Sequence, residues 1–397
     1  MNVKIKTSTI SDIIIFLYFC VILGNALNLV LLNILTLIAF AFYFLCGAKG
    51  IKSMIRSSYF WWLIGFTLFI WLGVIWATSA TSAFNMGKTF VKLAIMMLFI
   101  YANTKTFEKL IFRMKQFIWA SVFMMIKVLL SFASGNTRLN AFSSGTGLYF
   151  NSVAQILAFS VILAFWFVLN RKSISSRVTG YVAYIVAAYL MIIWSGSRKS
   201  IIMPIVGMLI IIAFGDFGIK KKIRYLIIAS LLTLAAIYVI LTNDMLSARF
   251  LDLVNTMFKR ATTDVSAVER KYYRDTAAML FLRSPIIGFG ADGFMNYLKQ
   301  IGYSHLAYCH NNWLEILSAY GIVGGLSYYW YYAYAIAHLR KAKLDYHRMG
   351  VVLFSIVIVL FAFEYGIVTY YFPMYHVLFC FVASFLKLSR ASQVRDQ

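Results

Sequence analysis

Apolar residues run along this chain in long blocks separated by short polar stretches. A helix crossing roughly 30 Å of hydrocarbon needs about 20 mostly apolar residues at about 1.5 Å each. Twelve blocks qualify, near 10–27, 29–46, 58–77, 89–103, 117–134, 149–169, 178–194, 201–217, 224–242, 310–336, 350–370 and 374–390. The pattern therefore predicts an all-α polytopic membrane protein of about twelve transmembrane helices. It reads as a single domain over 1–397, with one long, partly helical external loop at 243–309. Two places admit another arrangement: the split of the first run at Gly24-Asn25, and the hairpin around Pro373.

Charge tests the count independently, because cytoplasmic loops collect Lys and Arg whereas short external loops do not. With the N-terminus inside, the predicted cytoplasmic segments hold 23 Lys and Arg, and the short external loops hold only Lys88, Arg138, Arg198 and Lys199. Both termini are thus predicted to be cytoplasmic. The long loop carries eight more cations, among them Arg270, Lys271, Arg274 and Arg283. Long translocated segments escape the orientation rule, so those charges need another reason; a solvated loop surface is the plain one. Lys92 and Lys127 fall inside predicted spans, where each either snorkels or faces a polar cavity, and Glu364 and His376 bracket the last hairpin with the same ambiguity.

Composition agrees with a bilayer as solvent. The chain of 397 residues is 62% hydrophobic and 18% aromatic but only 13% charged, which excludes an ordinary soluble enzyme and a disordered chain. A formal charge of +24 raises nucleic acid, anionic lipid and phosphorylated substrate as partners. The inner cations follow the topology rule loop by loop with no binding motif, so nucleic acid is set aside. Cys20, Cys46, Cys309 and Cys380 form no C-x-x-C pair and imply neither a disulfide framework nor a zinc knuckle. The first apolar run follows Lys4 and Lys6 and lacks a small-x-small cleavage site, so it reads as an uncleaved first helix.

Four segments on the predicted outer side hold polar groups that a structural loop does not require. The first runs from Arg138 through Gly145-Thr146-Gly147 to Asn151, and taken alone is a turn. The second, Ser195-Gly-Ser-Arg198-Lys199-Ser200, places two cations in a short outer loop against the positive-inside bias. Hydroxyls, Gly196 and a guanidinium near a helix start suit phosphate oxygens, the alternative being a snorkelling Arg beside a capped helix. In the third, Arg270 and Arg274 lie one turn apart on an amphipathic helix that Pro285, Gly288 and Gly290 end. That helix is expected over the membrane mouth, cationic side inward; a plain surface helix is the alternative. The fourth, His310-Asn311-Asn312-Trp313-Leu314-Glu315 with Ser318, Gly321, Gly324 and Gly325 behind it, opens the tenth span. An imidazole there can take a proton near neutral pH and a membrane-edge Glu can orient it or polarise a sugar hydroxyl; an interfacial cap is the bland reading. His305, Cys309 and His310 match no standard metal spacing, and no metal is expected.

Taken in this order, the four segments resemble the superfamily of O-antigen polymerases and O-antigen ligases, bacterial membrane glycosyltransferases using undecaprenyl-pyrophosphate-linked glycans. The residues carrying the resemblance are Arg138 to Asn151, Ser195-Gly-Ser-Arg198, Arg270 with Pro285 and the Gly-x-Gly after it, and His310-Asn-x-x-x-Glu315 with its glycines. Lys199 and Arg274 are not matched to the family pattern. The resemblance implies inverting, metal-independent glycosyl transfer without a cofactor, at the external face of the bacterial inner membrane. It implies lipid-linked oligosaccharide donor and acceptor, membrane lipid, and a chain-length regulator as candidate partners. On it His310, Arg198, Arg270 and Glu315 are expected in catalysis and Arg138, Asn311 and Asn151 in substrate binding, with Lys199 and Arg274 added to substrate binding for their charge alone. A repeat-unit polymerase is favoured over a ligase acting on lipid A core because polymerases are numerous and divergent. A twelve-helix transporter or lipid flippase is the reading from another class, but no internal repeat relates the two halves.

Overall fold

The computed structural model describes residues 7–24, 29–45, 54–169, 176–242, 247, 265–304, 307–339 and 347–393. Among these residues it is almost entirely helical and has no strand. The helices are α1 (Thr7–Gly24), α2 (Leu29–Leu45), α3 (Ser58–Leu72), α4 (Ala80–Asn103), α5 (Phe107–Ala133), α6 (Arg138–Thr146), α7 (Phe150–Leu169) and α8 (Ser176–Ser195). They continue with α9 (Arg198–Phe214), α10 (Ile219–Thr242), α11 (Val265–Arg283), α12 (Gly293–Gln300), α13 (Asn312–Leu339), α14 (His347–Phe363) and α15 (Pro373–Gln393). This is the all-α polytopic membrane architecture that the apolar blocks predict.

Each of the twelve blocks is occupied by a helix, but the count of spans needs correction. Among the described residues, seven helices are long and apolar enough to cross a membrane, and two apolar ones, Ser8–Gly24 and Val30–Phe42, are shorter. The shortfall has local causes. Helix α9 is 17 residues long, α10 opens on Ile-Lys-Lys-Lys, and α13 is broken inside. Helices α4 and α5 also begin about nine residues earlier than predicted, because Ser79 and Thr106 cap them by accepting from the amides of Ser82 and Lys109. The apolar pattern cannot register such a polar first turn.

Helix α7 is the most enclosed, packed by α5, α8, α9 and α14, while α15 is held by α4, α5, α13 and α14. Rings of α3 and α13 interlock beside α15, with Trp62 stacked on Tyr331 at 4.7 Å between centroids. Val30, Leu37, Trp61, Trp119 and Leu241 are exposed on the outside, as expected where lipid tails are the solvent. At one end of the bundle Asp12 accepts from Lys109 and Arg113, each at 2.6 Å, and Lys387 donates to the carbonyls of Tyr101 and Thr104 at the end of α4. Those cations belong to the segments predicted to lie inside.

The opposite end is organised by the break in α13. Gly321 has φ 62° and ψ −164°, so the backbone groups on either side lose their helical partners. The loop after α11 supplies substitutes. Phe289 and Gly290 donate to the carbonyls of Ser318 and Ala319 at 3.0 and 2.7 Å, and Ile322 and Val323 donate to those of Pro285 and Ile286 at 2.8 and 3.2 Å. Non-helical backbone at membrane depth survives only with such internal partners. A Cβ on Gly321 would lie 2.2 Å from the Ile286 oxygen, so the glycine is required by both conformation and space. Gly321→Ala is expected to cost upward of about 1–2 kcal/mol and lower the unfolding midpoint in detergent. Gly180→Ala, which meets nothing within 4 Å, should leave it unchanged or raise it.

Candidate active site

The segment 307–311 delivers His310 to this end, and three ties hold it. Cys309 donates its amide to Glu315 Oε2 at 2.9 Å and its thiol to the Asn311 carbonyl at 2.9 Å. Asn311 Oδ1 accepts from the amide of Leu314 at 3.1 Å, which caps α13. The turn places His310 at φ 57°, a left-handed conformation that costs a non-glycine residue roughly 1 kcal/mol. The imidazole lies between Tyr308 and Tyr273, 4.3 and 6.1 Å from their ring centroids. Glu315, buried in the first turns of α13, thus holds the backbone ahead of the histidine, and Asn311 is buried and spends its carboxamide on the cap.

His310 forms part of the wall of an open cavity of about 660 Å³. Asn151, exposed at the start of α7, Gln155 and Tyr308 are among its other polar groups, and Tyr375 donates to Gln155 Oε1 at 2.6 Å. Val21, Ile22 and Leu32 of α1 and α2 line an apolar side. The shape suits a ligand with one polar and one apolar end.

Cations approach the histidine from two further elements. Arg270 and Arg274 of α11 and Lys199 of α9 are all within electrostatic reach of His310, and Arg198 adds its charge beside Lys199. The last connection before α15 anchors two of them. Lys199 donates its Nζ to the carbonyl of Gly366, and the Arg274 guanidinium sits 5.6 Å over the Tyr365 ring. Burial first, then the charges of Arg270, Lys199 and Arg274, push the His310 pKa down from 6.5 to about 4. A histidine is uncharged above its pKa, so this imidazole is neutral and able to accept a proton through the physiological range.

Other predicted residues fall differently. Arg138 begins α6, a short helix whose Gly145 packs onto the Lys127 carbonyl and whose Gly147 turns at φ 70°; the side chain of Arg138 lies outside the described residues. The hydroxyls of Ser197 and Ser200 bond each other at 2.8 Å, and Ser195 donates to Ile192, so these groups close their own loop. Lys127 donates to the Gly24 carbonyl and Lys92 to Asn33 at 3.1 Å, ties between helices on the α1–α2 side. His305 lies outside the described residues, within which no three His, Cys, Asp or Glu side chains are grouped to hold a metal. Cys20, Cys309 and Cys380 are free thiols. Sequence reasoning missed Tyr308, Gln155, Tyr365 and Gly366; only the glycine, where a Cβ would sit 2.0 Å from Lys199 Nζ, leaves a mark that a pattern could carry.

Helices of this length and composition, around a cavity whose wall includes a histidine within reach of several cations, define a polytopic membrane protein. The model of a family described as O-antigen ligase matches residues 183–329. That segment contains Arg198, Lys199, Arg270, Arg274, His310 and Glu315, so this part of the chain is similar to the family that its motifs resemble. No curated protein matches the chain.

Removing a nearby positive charge should raise the histidine's affinity for protons. In Arg274→Gln the His310 pKa, followed by imidazole NMR shifts of the labelled protein, is expected to move up from about 4 towards 6.5. An unmoved pKa would mean that the guanidinium does not act on the imidazole.

Proposed function

We propose that the chain is a repeat-unit polymerase for an O-antigen or capsule glycan. It would transfer the growing chain from undecaprenyl pyrophosphate to the end sugar of a fresh lipid-linked repeat, with inversion, on the external face of the bacterial inner membrane. The match to the O-antigen ligase family over residues 183–329 supports a membrane glycosyltransferase-like enzyme with lipid-linked glycan substrates. The observation that carries the reading is the neutral His310 on a cavity wall with Arg270, Arg274 and Lys199 around it.

In the reaction an acceptor hydroxyl oxygen attacks the anomeric carbon while the bond from that carbon to the diphosphate oxygen breaks. Undecaprenyl pyrophosphate departs with the electron pair. Arg270 and Arg198, with Lys199 and Arg274, oppose the negative charge gathering on the diphosphate. Arginine stays protonated, so this charge needs no metal. His310 takes the hydroxyl proton, and Glu315 fixes the segment that presents it. Asn151, on the cavity wall, is assigned to substrate binding and Arg138 to the donor diphosphate, while Asn311, expected to bind substrate, acts instead through the cap that holds the histidine segment.

The charges also couple the two roles. A bound diphosphate cancels part of the positive field that lowers the His310 pKa, so the donor itself makes the imidazole a better base. The acid limb of kcat/KM, which reports the free enzyme, is therefore expected near pH 4, and that of kcat at a higher pH. Coincident limbs would contradict the coupling.

The description of the matching family favours one second reading, a ligase that transfers the glycan to lipid A core. Purified protein given only a lipid-linked repeat unit separates the two. A ladder of products is expected, and dependence on added lipid A core would select the ligase. Arg270→Ala or His310→Ala should each lower product formation at least about a hundredfold with the protein still folded. Unchanged elongation in either variant would remove that residue from the site.

A further inference from the structure

Glu364 is fully buried where α14 gives way to a single 3-10 turn, Glu364–Gly366. Its carboxylate accepts from the hydroxyls of Tyr329 at 2.9 Å, Tyr332 at 2.5 Å and Thr369, with the Tyr328 hydroxyl at 3.5 Å. A carboxyl group this deep persists only when its oxygens are met by donors, and here three tyrosines of α13 and one threonine meet them. Asn312, two residues beyond His310, extends the network. Its Nδ2 donates to the Tyr329 hydroxyl at 3.1 Å, and its Oδ1 accepts from the amides of Thr369 and Tyr370 at 2.9 and 3.1 Å.

The two residues that follow Glu364 are those that hold the cations. Tyr365 lies beneath Arg274, and the Gly366 carbonyl receives Lys199. One carboxylate thus clamps the turn carrying these anchors to α13, whose first residue stands beside the histidine segment.

We infer that Glu364 is a positioning residue for the active site: through the 364–366 turn it sets Lys199 and Arg274 at the distance from His310 that a diphosphate requires. The inference rests on the proposed glycosyl transfer and adds to it a buried residue that touches neither substrate. A clamp of this kind acts on the anionic part of the ligand. Loosening it weakens recognition of the diphosphate and leaves the apolar tail unaffected, whereas a merely architectural role would alter both together or neither.

The test compares purified wild-type, Glu364→Gln, Tyr332→Phe and Arg270→Ala proteins in nanodiscs, measuring affinity for undecaprenyl pyrophosphate and for undecaprenol, together with product formation. Glu364→Gln is expected to bind the diphosphate about tenfold more weakly with undecaprenol affinity unchanged. Tyr332→Phe, which removes one donor and keeps the ring, should show the same selective loss at about threefold, and it carries the test if Glu364→Gln does not fold. Equal diphosphate affinity in wild type and in every folded clamp variant overturns the inference, as does a parallel loss for both lipids. Arg270→Ala separates this failure from that of the underlying reading, since wild-type product formation by that variant would reject the glycosyl-transfer site itself.

Discussion

Mutual repulsion among Lys199, Arg270 and Arg274 is the constraint on which the site depends. Unit charges about 6–8 Å apart repel by about 2–3 kcal/mol at the effective dielectric of a protein surface. The fold must therefore hold such groups against their tendency to separate. It does so from three directions: Lys199 is tied to the Gly366 carbonyl, Arg274 rests on the Tyr365 ring, and Arg270 shares the rigid face of α11 one turn before Arg274. The arrangement is poor at carrying its own charge and well suited to receiving someone else's. The same field adds to burial, the larger cause, in lowering the His310 pKa.

Backbone chemistry decides where that field can be placed. A continuous helix through Gly321 would leave no carbonyls or amides for the loop 285–290, and α11, which leads directly into that loop, would lose this hydrogen-bonded seam to the bundle. The interrupted α13 captures the loop by reciprocal hydrogen bonds, and Thr78 donates to the Phe289 carbonyl at 3.0 Å from the turn before α4. Through this seam the two arginines of α11 come within electrostatic reach of His310, on the wall of a cavity that helices far away in the sequence also line. The apolar wall from α1 and α2 gives the cavity a second character, suited to a lipid tail beside a charged head.

Much of this was legible in the chain. Every apolar block became a helix, because a 20-residue oily segment has few other ways to satisfy its backbone in lipid. The clustering of His310 with Arg270, Arg274 and Lys199 was also foreshadowed, since cations beyond the positive-inside pattern call for a chemical reason. The break at Gly321 was not, because hydropathy averages over one residue and a glycine in an apolar run has many explanations. Nor did the pattern reveal that Asn311 caps a helix, that Glu315 grips a backbone amide, or that Ser197 and Ser200 bond each other; these are choices among partners, set by tertiary geometry. Glu364 appeared as an ambiguous charge in a span, and only its ring of tyrosines explains why it is tolerated there.

The central claim is that the cations gathered around His310 receive the departing lipid diphosphate. A cryo-EM structure with undecaprenyl pyrophosphate bound tests it most directly. The account places the diphosphate oxygens within hydrogen-bond reach of Arg270 and Lys199, beside the imidazole, with the tail along the wall of α1 and α2. A diphosphate seated instead at the other end of the bundle, among Lys109, Arg113 and Lys387, would contradict it.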